Sequence, residues 1–213
     1  WLVGCDMESA HLRIFAHLID DKEFTQSPIN GDKILGTDPH SVNKRRLGDL
    51  CVDRDRAKTF IFSFLNGGGA GKVAEIFGCS VPEAQETLDG YIKAYPGLEK
   101  LKQETIPRDA ARGYFIGIDG RLVKADSEHK MIGMYLQNME SVLMKYSWIK
   151  WNDELNNLSI PFRTVNWIHD EWVTELEGDV RLAQQVGQIQ SRAITSVGDA
   201  FGLRCPMGGE YKV

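Results

Sequence analysis

The stretch "RDRAKTFIFSFLNGGGAGK", Arg54 to Lys72, joins a helical pattern to a glycine-rich loop that ends in lysine. A phosphate-binding P-loop has the form G-x-x-x-x-G-K-[ST] and connects a strand to a helix. Here Val73 follows the lysine, Asn66 stands five positions before Gly71, and the preceding segment has a helical pattern. The sequence therefore excludes a P-loop and leaves the helix before the glycines as the candidate phosphate-binding element.

The helix before the glycines carries a distinctive polar stripe. Arg54, Lys58 and Phe62 are spaced four apart and share a face, with Asn66 one turn further along. Two cations a turn apart suit a chain of phosphates, and a neighbouring aromatic ring suits a sugar or a base. The alternative is an exposed Arg/Lys face with a core phenylalanine, and the spacing alone leaves both interpretations open.

The composition is that of an ordinary globular protein, with 213 residues, 42% hydrophobic and 26% charged, and a net charge of -5. No apolar run approaches the roughly 18 residues of a membrane span. The four cysteines form no C-x-x-C pair, which favours a reduced protein and predicts a cytoplasmic location. The acidic balance is not typical of a whole-domain nucleic-acid binder, although a basic region runs from Lys93 to Lys124.

Hydrophobic periodicity predicts an α+β protein with a long helical excursion inserted between strands. A buried strand opens the chain and ends on an acid, and a helix follows it. Residues 22–40 contain two prolines and two glycines and are predicted to form a loop with short turns. Further helices are expected near 40–50, 54–66, 81–94, 96–113, 127–157 and 178–200, with a hairpin at 113–124, two strands around a turn at His169-Asp170, and a strand-like tail.

The sequence pattern R-x-x-x-K-T-F-I-F-x-F-L-x-G-x-G, residues 54–69, resembles motif B of the pol I-type (family A) DNA polymerases, closest to the phage branch. The resemblance implies that this helix belongs to the fingers and binds the incoming dNTP. Arg54 and Lys58 would contact the triphosphate, Lys58 would also protonate the leaving pyrophosphate, and Phe62 would pack against the sugar. Asn66 departs from the family, which usually has tyrosine near the templating base at this position.

Two further segments resemble the other motifs of that family. "VGCDMESAHLRIFAHLIDD" is similar to motif A, and "VNWIHDEW" is similar to motif C. Asp6 at a strand end and Asp170 at a hairpin turn can meet at the edge of one sheet, and hard oxygen ligands of this kind suit two Mg²⁺ ions. By resemblance, the backbone carbonyl of Met7 is a third ligand and Glu171 tunes the site. The alternatives are a helix-capping acid at Asp6 and a solvated hairpin turn at Asp170-Glu171.

Smaller features agree with the resemblance. His40, in "GTDPHSV", is similar to the family's histidine near the β-phosphate, although the segment after Gly31-Asp32 is longer than usual. Arg121 in "DGRLV" and Gln137 in "LQNMESVLMK" resemble segments that contact primer and template in the minor groove, where one side chain can check pairing without reading sequence. His169 would lie near the primer terminus.

His11 is a second departure from the family. The family usually has glutamate there, which blocks a ribose 2′-hydroxyl and pairs with the aromatic helix. Histidine is shorter than glutamate, and its side chain can become positively charged instead of negatively charged. The sequence therefore predicts weakened or altered discrimination against ribonucleotides at the dNTP site.

The resemblance implies a polymerase palm, an antiparallel sheet with helices, and an inserted helical fingers subdomain. Residues 1–30 and 114–213 are expected to form the palm, with the motif C hairpin at 164–176, and residues 31–113 the fingers. The expected partners are primer-template DNA and dNTPs in a bacterial or phage-infected cell. Because nothing like a thumb or exonuclease precedes motif A, a separate N-terminal polypeptide or a missing N-terminal half is expected to complete the enzyme.

Two other functions remain open at this point. A metal-dependent nuclease could use the same carboxylates, but that class usually needs more acidic ligands and leaves the Arg54/Lys58/Phe62 face unexplained. A non-catalytic DNA-binding remnant would account for the departures at His11 and Asn66, but it does not account for the intact acids and lysine.

Overall fold

The computed structural model describes residues 1–125 and 127–213, which form ten α-helices and six β-strands. The helices are α1 (Ala10–Ile19), α2 (Lys22–Asn30), α3 (Pro39–Leu47), α4 (Arg54–Leu65), α5 (Ala70–Phe77), α6 (Val81–Lys93), α7 (Pro96–Lys100), α8 (Ile106–Arg112), α9 (Met131–Asn157) and α10 (Val180–Ala200). The strands are β1 (Leu2–Met7), β2 (Tyr114–Ile116), β3 (Leu122–Lys124), β4 (Phe162–Ile168), β5 (Glu171–Leu176) and β6 (Gly209–Lys212).

The chain divides by its internal packing into two compact units. The first contains residues 1–14 and 138–213, and the second contains residues 15–137. The predicted α+β class with a helical excursion between strands is confirmed. The palm and fingers boundaries expected from the resemblance stay a prediction. Within the described ranges, no helix has the length and apolar character that crossing a membrane requires.

The first unit is built on a four-stranded antiparallel sheet in the order β4-β5-β1-β6. Strand β1 is central, and its residues Val3, Cys5 and Met7 are buried. Helix α10 packs against β1 and β6. Because side chains alternate along a strand, the opposite face of β1 carries Gly4 and Asp6, which are only half-buried. One face of the sheet therefore packs into the core, and the other face is more exposed and carries the candidate site.

The hairpin of β4 and β5 turns at His169-Asp170, as predicted. His169 has a φ of 52°, in the left-handed region that tight two-residue turns require. Its carbonyl oxygen accepts a hydrogen bond from Trp167 Nε1 at 3.1 Å. The pairing of the two strands shifts between Thr164 and Asn166, which marks a β-bulge four residues before the turn.

The second unit has an aromatic core. The rings of Phe60 and Tyr91 lie 4.9 Å apart, those of Phe64 and Tyr91 5.5 Å, and those of Tyr91 and Tyr95 5.3 Å. All three pairs meet edge to face, as does Phe24 with Tyr95 at 5.9 Å. Each such contact adds about 0.5–1.5 kcal/mol beyond the burial of area. The core of this unit therefore anchors α4 through its phenylalanines.

Helix α4 begins and ends close to where the sequence predicts, and it buries the residues that the sequence predicts to pack. Asp53 caps its start by accepting a hydrogen bond from the backbone N–H of Arg56. The predicted packing residues Phe60, Ile61, Phe64 and Leu65 are all buried. The helix ends at the glycines that follow Asn66, where Gly67 has a φ of 88°.

Helix α2 corrects the prediction of a loop over residues 22–40. Asp21 caps it by accepting from Phe24 N, and Phe24 is fully buried. Pro28 lies inside the helix and cannot donate to the carbonyl of Phe24, four residues earlier. The hydroxyl of Ser27 donates to that carbonyl instead, at 2.7 Å. The loop prediction was wrong for residues 22–30, where a side-chain hydrogen bond replaces the one that proline removes. Residues 31–38 lie outside helices and strands, as predicted.

Helix α5 lies where the sequence analysis predicts no element. Its buried residues Val73, Ala74 and Phe77 have helical spacing, and Gly78 ends it with a φ of 70°. The apolar period is only two turns long and begins inside the glycine-rich stretch. This apolar pattern was too short to indicate a helix beside glycines that favour a loop.

Replacing Gly97 with alanine is expected to destabilise the protein by about 1–3 kcal/mol, the usual cost of forcing an extra group into a packed site. A Cβ at Gly97 would overlap the backbone carbonyl of Ile19, which has no flexible end to move away. Gly90 is the matched control, because it also lies in a helix and a Cβ there meets nothing within 4 Å. Gly90→Ala is expected to raise stability by about 0.5–1 kcal/mol. Denaturant unfolding that ranks the two variants the other way would contradict this packing.

Candidate active site

Three carboxylates lie in a row across the open face of the sheet. Asp6 on β1 is paired directly with Glu171 on β5 and with Glu210 on β6. Directly opposite residues of antiparallel strands point to the same face, with Cβ atoms about 5 Å apart. The Glu171 side chain extends toward Gly4, where a Cβ would come within 3.0 Å of its Oε1. The first unit therefore presents a strip of negative charge at one end of its sheet.

The turn that carries Asp170 is attached to the end of β1. The backbone N–H of Met7 donates to the carbonyl oxygen of Asp170 at 2.9 Å. Asp6 and Asp170 are 164 positions apart (170 minus 6), yet this hydrogen bond brings their backbones together. The structure thus places the two predicted acids, Met7 and Glu171 in one neighbourhood.

The clustered acids change the titration of Asp6. Partial burial and the negative charges of Glu210, Asp170 and Glu171 raise the pKa of Asp6, and Lys212 acts in the opposite direction. The charge that Asp6 carries at neutral pH is therefore unfavourable in the folded protein.

This donor set fits a hard divalent cation. Mg²⁺ prefers oxygen ligands and is usually held by one or two carboxylates together with water and substrate phosphates, not by an all-protein cage. Residues 1–125 and 127–213 contain no group of three or more His, Cys, Asp or Glu side chains arranged to hold a metal by themselves. A bound cation would relieve the repulsion that raises the pKa of Asp6.

Replacing Asp6 with asparagine is expected to stabilise the metal-free protein at pH 7 by a few tenths of a kcal/mol, the scale of screened charge interactions. The folded state holds the Asp6 proton more tightly than the unfolded state, so the penalty is present above the folded pKa and disappears as pH falls below the unfolded value. Urea unfolding at pH 7 and near pH 4 checks this. A variant less stable than the parent at pH 7 would contradict it.

Glu210 is a member of the row that sequence reasoning missed. Its strand is fixed beside β1 because Arg13 donates to the carbonyl of Pro206 at 2.7 Å and Glu8 N donates to the carbonyl of Gly208 at 2.9 Å. The sequence predicts a strand-like tail, but it contains no signal for the register that sets Glu210 opposite Asp6.

His11 lies on α1 beside a carboxylate of α9. Its Nε2 is 2.8 Å from Oε2 of Glu140, with the two side chains 29% and 16% exposed. The atoms do not align for a hydrogen bond, so the contact is a close approach of an imidazole and a carboxylate. His11, which was predicted to affect ribonucleotide discrimination, thus has a glutamate directly beside it.

The polar stripe of α4 is solvent-accessible. Lys58 is exposed, Phe62 is 40% exposed and Arg54 is half-buried. The ring of Phe62 lies 6.0 Å from that of His40. Burial, followed by the positive charge of Arg54, lowers the pKa of His40. In the second unit, a neutral imidazole therefore lies beside the aromatic ring and close to the cations.

Arg54 is held by an acid that sequence reasoning missed. Asp38 Oδ1 accepts from Nε and Nη2 of Arg54 at 3.0 and 2.7 Å. Burial favours a higher pKa for Asp38, yet hydrogen bonds from Arg54 and Ser41 outweigh it and lower the pKa to about 2. The sequence signal is the pair Asp38-Pro39, since an N-cap acid followed by proline is typical of a helix start.

The residues predicted to contact primer and template lie in different elements. Asn66 is exposed, and its side-chain amide donates to the carbonyl of Phe62 at 2.8 Å, so it caps its own helix. Arg121 is exposed beside β3 and pairs with Asp119. Gln137 is exposed on α9, and His169 lies in the β4–β5 turn. Their predicted roles stay predictions.

Comparisons with known proteins identify the family. The model of DNA polymerase family A matches residues 1–213. The DNA-directed DNA polymerase of Escherichia phage T7 is 27% identical over 233 residues, which cover 99% of this chain and 32% of that protein. DNA polymerase I of Deinococcus radiodurans is 24% identical over 229 residues, which cover 98% of this chain and 22% of that protein. The chain thus spans about a third or less of the length of these relatives.

A solved structure shows the same fold. The polymerase domain of Pol1 from M. smegmatis, in complex with DNA primer-template and dNTP, matches with a TM-score of 0.80 and 17% identity. The match covers 99% of this chain and 38% of that one. The predicted architecture of an antiparallel sheet with inserted helices is confirmed by this likeness. From the family match over all of its residues, this chain belongs to DNA polymerase family A.

Proposed function

We propose that this chain performs DNA-templated DNA synthesis as the palm and fingers part of a polymerase, adding dNTPs to a primer 3′-hydroxyl. The observation that carries the proposal is the hydrogen bond from Met7 N–H to the carbonyl of Asp170. It supports a common site for two acids that are distant in sequence, and membership of DNA polymerase family A supports the reaction class.

Asp6 and Asp170 would hold two Mg²⁺ ions, with the backbone carbonyl of Met7 as a further ligand. When bound, the ions supply an activated 3′-hydroxyl and balance the charge on the leaving pyrophosphate. Glu171 and Glu210 flank Asp6 and raise the negative charge that attracts the ions. Glu171 is proposed to tune the site without ligating.

The dNTP would be held by the face of α4. Arg54 and Lys58 contact the triphosphate, His40 lies near the β-phosphate, and Phe62 packs against the sugar. In the reaction, the primer 3′-hydroxyl releases its proton to water and its oxygen bonds the α-phosphorus, while the bond from the α-phosphorus to the oxygen that bridges to the β-phosphate breaks. Lys58 donates a proton to the pyrophosphate that leaves.

Arg121 and Gln137 are proposed to contact the minor groove of the primer-template duplex, where acceptors are alike for all base pairs. His169 is proposed to lie near the primer terminus. Asn66 would be near the templating base, although its amide donates to the carbonyl of Phe62 and caps α4. The expected cytoplasmic location and the thumb or exonuclease polypeptide also stay predictions. Size-exclusion chromatography with a candidate N-terminal chain tests for that partner.

Thermal unfolding separates the proposed function from its alternatives. A polymerase is stabilised by dNTP together with Mg²⁺, because ligands that bind only the folded state raise its stability. A nuclease is stabilised by the metal alone, and a DNA-binding remnant by neither. Stabilisation by Mg²⁺ without any further effect of dNTP would contradict the polymerase.

His11 is expected to give a weak preference for dNTPs over rNTPs, because it replaces the glutamate that blocks the ribose 2′-hydroxyl in the family. We expect His11→Ala to change that preference by roughly tenfold, the scale of one lost contact in a pocket. His17→Ala, at the other histidine of α1, is the control. Single-turnover insertion of a matched dNTP and rNTP measures the ratio. A strong dNTP preference that survives His11→Ala would overturn the prediction.

A further inference from the structure

The carboxylate of Asp38 is buried and fully engaged. Only 6% of the residue is exposed. Its Oδ1 accepts from the backbone N–H of His40 at 3.1 Å and from two nitrogens of Arg54, and its Oδ2 accepts from the hydroxyl of Ser41. One acid therefore caps α3 and fixes the side chain that begins α4.

This contact leaves one edge of the Arg54 guanidinium available. A guanidinium has five N–H donors, and Asp38 takes one from Nε and one from Nη2, so three remain. Nη1 lies 3.9 Å from the carboxylate of Asp55, too far for a hydrogen bond, and the Asp55 side chain is 93% exposed. The side chain of Arg54 is 27% exposed, so the remaining donors can reach a ligand. Among the residues that the structure describes, the buried Nδ1 of neighbouring His40 has no hydrogen-bond partner.

We propose that Asp38 is a positioning residue for triphosphate binding. It holds the Nε–Nη2 edge of Arg54 and thereby directs the other donors of the guanidinium to phosphate oxygens. This inference rests on the proposed function, in which Arg54 contacts the triphosphate. Asp38 itself does not touch the ligand, because its oxygens are already used by His40, Ser41 and Arg54.

Loss of Asp38 would change the affinity for triphosphate through two opposing contributions, the ordering of Arg54 and the charge of the site. Without Asp38, a long flexible side chain must be ordered when the ligand binds, which costs up to about tenfold in affinity. Loss of the negative charge also makes the site more positive, which favours a polyanion. Removing Asp38 leaves the charge of Arg54 unbalanced by one unit, but we expect this gain to be the smaller term because the Arg54 side chain is 27% exposed and its charge is screened by water and salt.

Equilibrium titration of the full chain with Mg²⁺-dATP and with Mg²⁺-tripolyphosphate tests the proposal. Asp38→Asn keeps a good helix cap but lacks the charge that orients Arg54. We expect it to weaken both probes by the same factor, about three- to tenfold. Ser41→Ala is the matched control, because it removes a hydrogen bond to Asp38 without altering Arg54. It should leave both affinities unchanged.

Two further variants keep the result interpretable if Asp38→Asn folds poorly. Arg54→Lys keeps the charge but cannot make the two-nitrogen contact, so it should lose at least as much affinity as Asp38→Asn. Asp38→Asn combined with Arg54→Ala should be no weaker than Arg54→Ala alone. Unchanged or tighter binding in Asp38→Asn, a fully functional lysine, or additive losses would each overturn the positioning role.

The failure of the inference differs from the failure of the proposed function. If Arg54→Ala weakens both probes and Asp38→Asn does not, only the role of Asp38 is lost. If Arg54→Ala changes neither affinity, or if the unaltered chain binds neither probe, the assignment of the triphosphate to α4 fails, and the inference fails with it.

Discussion

Replacing Asp170 with alanine is expected to reduce the rate of nucleotide insertion by about 10³-fold or more. The acid lies in the turn whose backbone carbonyl accepts from Met7 at the end of β1, next to the carboxylate row of Asp6. A metal held there would stabilise the charge that develops in the transition state by several kcal/mol. Each 1.4 kcal/mol of activation free energy changes the rate by a factor of ten. The hydrogen bond from Met7 uses the backbone of residue 170, so the turn keeps this tie in the variant. Single-turnover insertion measures the loss.

Glu175→Ala is the control for that result. Glu175 lies on the same strand and the same face as Glu171, but it pairs with Leu2 at the other end of β1. Its removal should change insertion by less than about twofold, because its charge is solvated and distant from the row. Equal losses in the two variants would mean that general negative charge, and not the site at Asp170, supports the reaction.

Lys58→Ala is expected to lower the maximal insertion rate by about 10²- to 10⁴-fold, the usual contribution of a positioned proton donor. Lys58 is exposed on the outer face of α4, away from the buried Phe60 and Ile61, so its loss should leave the fold intact. Arg54→Ala should instead raise the dNTP concentration needed for half-maximal rate, because Arg54 is proposed to bind the triphosphate equally in the ground and transition states. Rapid-quench insertion over a range of dNTP concentrations separates the two effects.

Lys72→Ala tests the other interpretation of the opening stretch. Lys72 follows the glycines where a P-loop lysine would lie, but it pairs with Glu75 on α5 and is exposed. We expect its removal to leave the rate and the dNTP dependence unchanged. If Lys72→Ala lowered the insertion rate and Lys58→Ala did not, the glycine loop, and not α4, would be the phosphate-binding element.

The sequence predicted those elements whose signals are local. The bounds of α4 and the turn at His169-Asp170 follow from apolar period and turn chemistry, and both were found where expected. Helix α2 was missed because Pro28 and Gly31 indicate a loop, and the Ser27 hydroxyl that replaces the lost hydrogen bond is not visible in the pattern.

The parts of the candidate site that were not predicted depend on contacts between distant residues. Glu210 reaches Asp6 through strand register, which Arg13 fixes from another element. Asp38 reaches Arg54 across a connection of sixteen positions (54 minus 38), and the sequence marks Asp38 as a helix cap without showing which cation it binds. The acids at motif positions could be predicted from the sequence. The acid beside Asp6 and the acid that holds Arg54 became apparent only from the folded structure.

The most direct test of the central claim is extension of labelled hairpin primers that differ only in the templating base, with Mg²⁺ and one dNTP at a time. Asp170→Ala is measured beside the unaltered chain. The proposed function predicts that each template accepts only its complementary dNTP and that the variant adds none. Addition that ignores the templating base, addition that persists in Asp170→Ala, or shortening of the primer would contradict DNA-templated synthesis at this site.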